Sequence, residues 1–98
     1  MSIVTIYELA GSFAENKDVA RDIRLQKIIP ILNKGKEIII DFEGVDSATQ
    51  SFVHALISDL FRLYGNDILD RIQFKSCNET VRGIISIVVG YMQESESR

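Results

Sequence analysis

Cys77 is the only cysteine of the chain, and Arg82 follows it after four residues, Asn78-Glu79-Thr80-Val81. A thiol placed where a strand hands over to a helix can ionise early, because the helix N-terminus favours the thiolate. A phosphatase-type loop needs five residues between cysteine and arginine, so that successive backbone N–H groups cradle a phosphate. This chain has four, no glycine opens the loop, and Glu79 puts a carboxylate where the phosphate would lie. These residues describe a semi-buried cysteine beside a helix cap. His54 is the only histidine. No Cys or His partner stands at metal-ligand spacing from it. Ser51 and Ser58 share its stretch, but nothing supplies the orienting third group or the oxyanion site that a triad needs. No glycine-rich phosphate loop follows any strand. Asp41, Glu43 and Asp46 cluster behind a hydrophobic strand, where open α/β sheets bind their ligands. They can receive a cation, a small ligand or a basic partner. The alternative is a solvated loop, since magnesium usually needs substrate phosphates as well. The sequence implies no metal, no cofactor and no enzymatic activity.

The elements that position these groups alternate in type. Ile3 to Leu9 is rich in β-branched and aromatic residues and predicts a strand ending at Ala10-Gly11. Glu15 to Asn33 predicts a helix stopped by Gly35, kinked or restarted at Pro30, which lacks a backbone donor. Glu37 to Phe42 contains Ile38-Ile39-Ile40 and predicts a strand buried on both faces, as in a parallel sheet. A loop over Glu43 to Ala48 leads to a helix over Thr49 to Tyr64, ended by Gly65-Asn66. Its apolar arc includes Phe52, Val53, Leu56, Ile57, Leu60 and Leu63. Arg71 to Ser76 predicts a third strand. Asn78 then caps a last helix through Met92, with Val81, Ile84, Ile85, Val88 and Met92 inward. Residues 93–98 form a polar tail expected to fray. The order β-α-β-α-β-α predicts an α/β fold, a small mainly parallel sheet packed by helices in one domain over residues 1–98.

Composition excludes several classes of function. The 98 residues carry a net charge of −3, so free nucleic acid and anionic membrane surfaces, which reward clustered Lys and Arg, are not expected partners. A single cysteine allows no internal disulfide, which fits a reducing, cytoplasmic setting. The first residues lack the basic and apolar regions of a signal peptide. No apolar run approaches the ~20 residues that span a bilayer.

The stretch from Ile38 to Phe61 reads IIIDFEGVDSATQSFVHALISDLF. A hydrophobic strand ends in Asp-Phe-x-Gly-Val, and a short loop brings a serine to the start of an amphipathic helix. This pattern, with Gly11-Ser12-Phe13 after the first strand, resembles the STAS domain of anti-sigma-factor antagonists. It is most similar to compact STAS-like proteins of unknown function. The resemblance spans about Ile3 to Met92 and rests mainly on hydrophobic spacing. It implies a bacterial, non-enzymatic regulatory domain that binds an ATP-binding, serine-kinase-like partner. It also implies that phosphorylation of Ser51 releases that partner. Where many antagonists read Asp-Ser-Ser-Gly, this chain reads Thr49-Gln50-Ser51-Phe52. A phosphoserine adds ~1.5–2 negative charges, which a helix N-terminus tolerates and a protein interface does not. Asp41, Glu43, Asp46 and Asp59 are expected to make that neighbourhood acidic. The alternative is a capping box, with Ser47 as N-cap, Gln50 at the third helical position and Ser51 an ordinary first-turn residue.

Ser51, Ala55, Ser58 and Arg62 recur at spacings of four, three and four, which predicts one outer stripe with a flat surface. The candidate docking residues are Glu43, Asp46, Ser47, Thr49, Ser51, His54, Ala55, Ser58 and Arg62. Gly83, Ser86 and Gly90 make a second stripe of small residues on the last helix, which fits close approach by another element or a second subunit. Other readings are a constitutive structural or homo-oligomerising subunit without phosphorylation, and a small-ligand sensor using the acidic loop.

Overall fold

The computed structural model describes residues 2–96. Three strands, β1 (Ser2–Thr5), β3 (Ile38–Asp41) and β5 (Ile72–Lys75), form a parallel sheet with β3 at its centre. Rows of partners cross it in register: Val4, Ile40 and Phe74 in one, Ile3, Ile39 and Gln73 in the next. Between them run α1 (Ile6–Ala10), α2 (Lys17–Ile23), α3 (Ile29–Asn33), α4 (Gln50–Tyr64) and finally α5 (Glu79–Glu96). The α/β class and the mainly parallel sheet agree with the sequence.

The strand order runs one way, β1 to β3 to β5, so right-handed crossovers carry every connecting helix to the same face. Side-chain alternation records this. Ile38, Ile40 and Val4 point into the core with Phe52, Leu56 and Leu60 of α4 and Val81, Ile85 and Val88 of α5. On the other face Ile3 is 54% exposed, Ile39 is half-buried and Gln73 is exposed. The expectation that the isoleucine strand is buried on both faces is therefore wrong for Ile39. An apolar run alone cannot distinguish a sheet covered on both sides from one wound in a single direction.

Other differences have local causes. The first strand stops at Thr5, opposite Asp41, and Ile6–Ala10 turns into a short helix that buries Ile6. The helix expected over Glu15 to Asn33 is divided. Around Arg24–Ile28 it widens to a π-turn, where the N–H of Ile29 donates to the Arg24 carbonyl five residues back. Pro30 has no N–H to give, and its ring collides with a carbonyl four residues back in a regular helix. The wider turn absorbs that misfit and lets the chain continue in a new register. Two very short strands, β2 (Phe13–Ala14) and β4 (Ser47–Ala48), pair in parallel where a plain loop was expected. Leu63, expected inward, is 62% exposed on the last turn of α4. Helix α5 continues to Glu96, so residues 93–96 are helical, while 97–98 of the expected frayed tail lie outside the described residues.

Candidate functional site

Helix α4 begins where β4 ends. Pairing with β2 keeps Ser47 and Ala48 extended, and the Thr49 N–H donates to the Ala14 carbonyl at 3.0 Å. The helix can start only after that bond. Thr49 is the N-cap, its Oγ1 accepting the Phe52 N–H at 3.1 Å. The capping box built on Ser47 is thereby corrected: Ser47 is a half-buried strand residue. Ser51 falls in the first helical turn, exposed.

The approach to this helix is fixed by hydrogen bonds. Asp41 is buried at the end of β3, and its Oδ1 accepts the Glu43 N–H at 2.9 Å. The Val45 N–H donates to the Phe42 carbonyl at 3.0 Å, closing a turn with Gly44 at φ +87°. A Cβ on Gly44 would stand 2.9 Å from the Tyr7 ring, so this glycine meets both a backbone and a packing demand. Asn78 holds the loop from the other side. Its Nδ2 donates to the carbonyls of Asp46 (2.9 Å) and Val45 (3.4 Å), while its Oδ1 accepts the Val81 N–H at 2.8 Å. One side chain both caps α5 and anchors the loop that leads to α4. Glu43 and Asp46 remain exposed. Among the described residues, no three His, Cys, Asp or Glu side chains come together as a metal site.

The predicted outer stripe of α4 is interrupted. Ser51 and Arg62 are exposed, but Ala55 is half-buried and Ser58 is only 5% exposed. The π-turn after α2 lies on this side of the helix. From it Arg24, 8% exposed, donates to the Ala55 carbonyl and pairs with Asp59 at 3.2 Å, and Asp59 also pairs with Arg62. Small residues at 55 and 58 thus fit a seam inside the fold, and Ser58 is corrected from a surface to a core position. Burial pulls the Arg24 guanidinium below its ordinary pKa, with repulsion from Arg21 and Arg62 adding to it.

What stays open is the start of α4. There Ser51, His54 and Ala55 line one wall of a groove of about 510 Å³, and Val88, Tyr91 and Met92 of α5 line the other. Lys17, the first residue of α2, and Gln50 of α4 complete the lining. Tyr91 is 62% exposed and Ile87, one turn before it, 45%. The groove brings three candidates together, Ser51, His54 and Ala55, and leaves Glu43, Asp46, Ser47, Thr49, Ser58 and Arg62 out of its lining. Sequence reasoning missed Lys17, Gln50, Val88, Tyr91 and Met92 as site residues. For Tyr91 a signal existed, since it falls off the inward stripe of α5 while being large and apolar. For Lys17 there was none, because only tertiary packing brings α2 beside Ser51.

The acidic neighbourhood expected around Ser51 is also redistributed. Asp41 is turned into the loop, and Asp59 lies eight residues along α4, about 12 Å at 1.5 Å per residue, already paired with two arginines. Among the described residues, the charged side chain that shares the groove with Ser51 is Lys17.

A second, smaller hollow of about 240 Å³ contains Ser76, Cys77 and Arg82. Burial pushes the Cys77 thiol up, Arg82 opposes this and Asp41 adds to it. Such a thiol is a poor source of thiolate at neutral pH.

A singly wound parallel sheet with helices on one face, and a serine lining a groove between two of them, defines a small α/β domain. The family model of a STAS-like domain of unknown function (DUF4325) matches residues 19–82, more than half of the chain. The chain belongs to this STAS-like family, in agreement with the resemblance read from Ile38 to Phe61. No curated protein and no solved structure matches the chain significantly. The matched stretch includes Ser51 and His54, whereas Lys17, Val88, Tyr91 and Met92 fall outside it. No helix among the described residues is long and apolar enough to cross a membrane.

Proposed function

We propose that this protein is a non-enzymatic, cytoplasmic regulatory domain that docks a protein partner through the groove between α4 and α5. Phosphorylation of Ser51 switches that docking off. The observation that carries the reading is the position of Ser51 on the wall of the groove, in the first turn of α4, opposite the exposed Tyr91. Large apolar side chains left in water beside a concave surface favour a protein interface. A phosphate at Ser51 is tolerated by the helix N-terminus. It fills the mouth of the groove and pairs with Lys17, so a partner loses both space and a cation. This differs from repulsion by an acidic surface, since Lys17 is the charged group lining the groove. The family resemblance favours an ATP-binding, serine-kinase-like partner in a bacterial cell.

The test is phosphosite mapping on protein purified from its native cell, with a pull-down comparing wild type, Ser51→Ala and Ser51→Asp. The expected result is phosphate on Ser51 and a partner kept by the Ala variant but lost by the Asp variant. Unmodified Ser51 with identical partners for all three proteins overturns the switch.

One observation favours a second reading, a constitutive or homo-oligomerising subunit without phosphorylation. The second face of the sheet presents the row Ile3, Ile39 and Gln73 without a helix layer, and parallel sheets are usually covered on both faces. A stable homo-oligomer whose formation Ile3→Lys abolishes supports that reading.

A further inference from the structure

We propose that the groove receives an amphipathic helical segment of the partner that carries an acidic side chain for Lys17; this rests on the partner-binding reading above. The walls of the groove are two helices, the geometry into which a third helix lays its apolar face through anchors at i, i+3 or i+4, and i+7. On the α5 side, Val88, Met92 and the exposed Tyr91 make the wall apolar.

Charge selects the occupant. The chain is net acidic at −3, yet among the described residues no Asp or Glu lines the groove and Lys17 does. Lys17 makes no ion pair with any described residue. A carboxylate brought by a ligand supplies that partner. The same site explains how a phosphate on Ser51 competes, since it takes the cation that the acidic side chain needs.

Two synthetic helical peptides with the same apolar spacing, one flanked by glutamates and one by lysines, are titrated into ¹⁵N-labelled protein. The acidic peptide is expected to shift the amides of Ser51, His54, Val88 and Met92, and to bind at least about ten-fold tighter than its lysine twin, a difference of about 1.4 kcal/mol. Lys17→Glu, an exposed change, should reverse that preference, and Tyr91→Ala should weaken both peptides. Equal affinities, no binding, or shifts confined to the Ile3–Gln73 face overturn the proposal. Groove shifts that grow with protein concentration alone also overturn it, by making a second copy the occupant. The native partner separates this inference from the reading beneath it. If Ser51→Asp loses the partner while Lys17→Glu and Tyr91→Ala keep it, the acidic helix is wrong and the switch stands. If all three variants keep the partner, the switch reading falls as well.

Discussion

Replacing Asn78 tests how the site is held together, because this residue does two jobs with two different atoms. Its Oδ1 caps α5 through the Val81 N–H, and its Nδ2 ties down the carbonyls of Val45 and Asp46 ahead of α4. An N-cap contributes about 1 kcal/mol. The two loop bonds are partly solvent-exposed, one of them long at 3.4 Å, so about 0.5 kcal/mol each is a fair value. Asn78→Ala should therefore cost about 2 kcal/mol, or roughly 10 °C in melting temperature for a domain of this size. Asn78→Asp keeps the cap and adds a favourable charge at the helix N-terminus, but loses both donors and aims a carboxylate at two carbonyls. We expect it to lie between, at about 1 kcal/mol below wild type. Urea unfolding, with the slope of the transition compared across all three proteins, measures both values. If Asp and Ala are equally destabilised, the cap contributes nothing. If Asp matches wild type, the loop clamp contributes nothing. Either result refutes the division of labour drawn from the geometry.

Three further predictions concern positions named above. Gly44→Ala should destabilise by about 1–2 kcal/mol, since φ +87° is strained for alanine and the new Cβ meets the Tyr7 ring; a Tyr7→Ala background should recover the contact part of that loss and leave the backbone part, as read by a double-mutant cycle. Arg24→Met, which keeps the stem and removes the guanidinium, should cost about 2 kcal/mol by chemical unfolding, less than a fully buried pair, because Asp59 retains Arg62. Iodoacetamide should alkylate Cys77 more slowly in the folded protein than in urea at pH 8. Because the folded thiol binds its proton more tightly than the unfolded one, the stabilisation it gives is present below the ordinary value of 9.0 and is lost as pH rises beyond it. Alkylation faster in the native state than in urea contradicts the raised thiol.

Much of the framework was legible because it rests on local rules. The three strands, helix α4, its stop at Gly65 and the Asn78 cap follow from hydrophobic period and capping chemistry alone. The stretch Ile38 to Phe61 was enough to suggest the family. What was not legible depended on partners distant in sequence. Ser47 looked like a cap until β2 claimed it, and no period reveals a two-residue strand. Ser58 looked like surface because a helical wheel of α4 cannot show that Arg24 lies over that side. Ile39 looked buried because composition does not record which way the sheet is wound. Pro30 announced a disturbance but not its form, a π-turn. The groove itself needed three elements, and its α5 wall was hidden in residues read as an ordinary inward stripe, with Tyr91 passed over.

The central claim is that a partner docks on the α4–α5 groove around Ser51, and amide hydrogen exchange of the protein with and without its captured native partner tests it most directly. The account predicts slowed exchange over residues 50–55 and 87–92 on binding, with β1 and β5 little changed. Protection confined to β1 and the Ile3–Ile39–Gln73 face, with the groove exchanging as in the free protein, contradicts it.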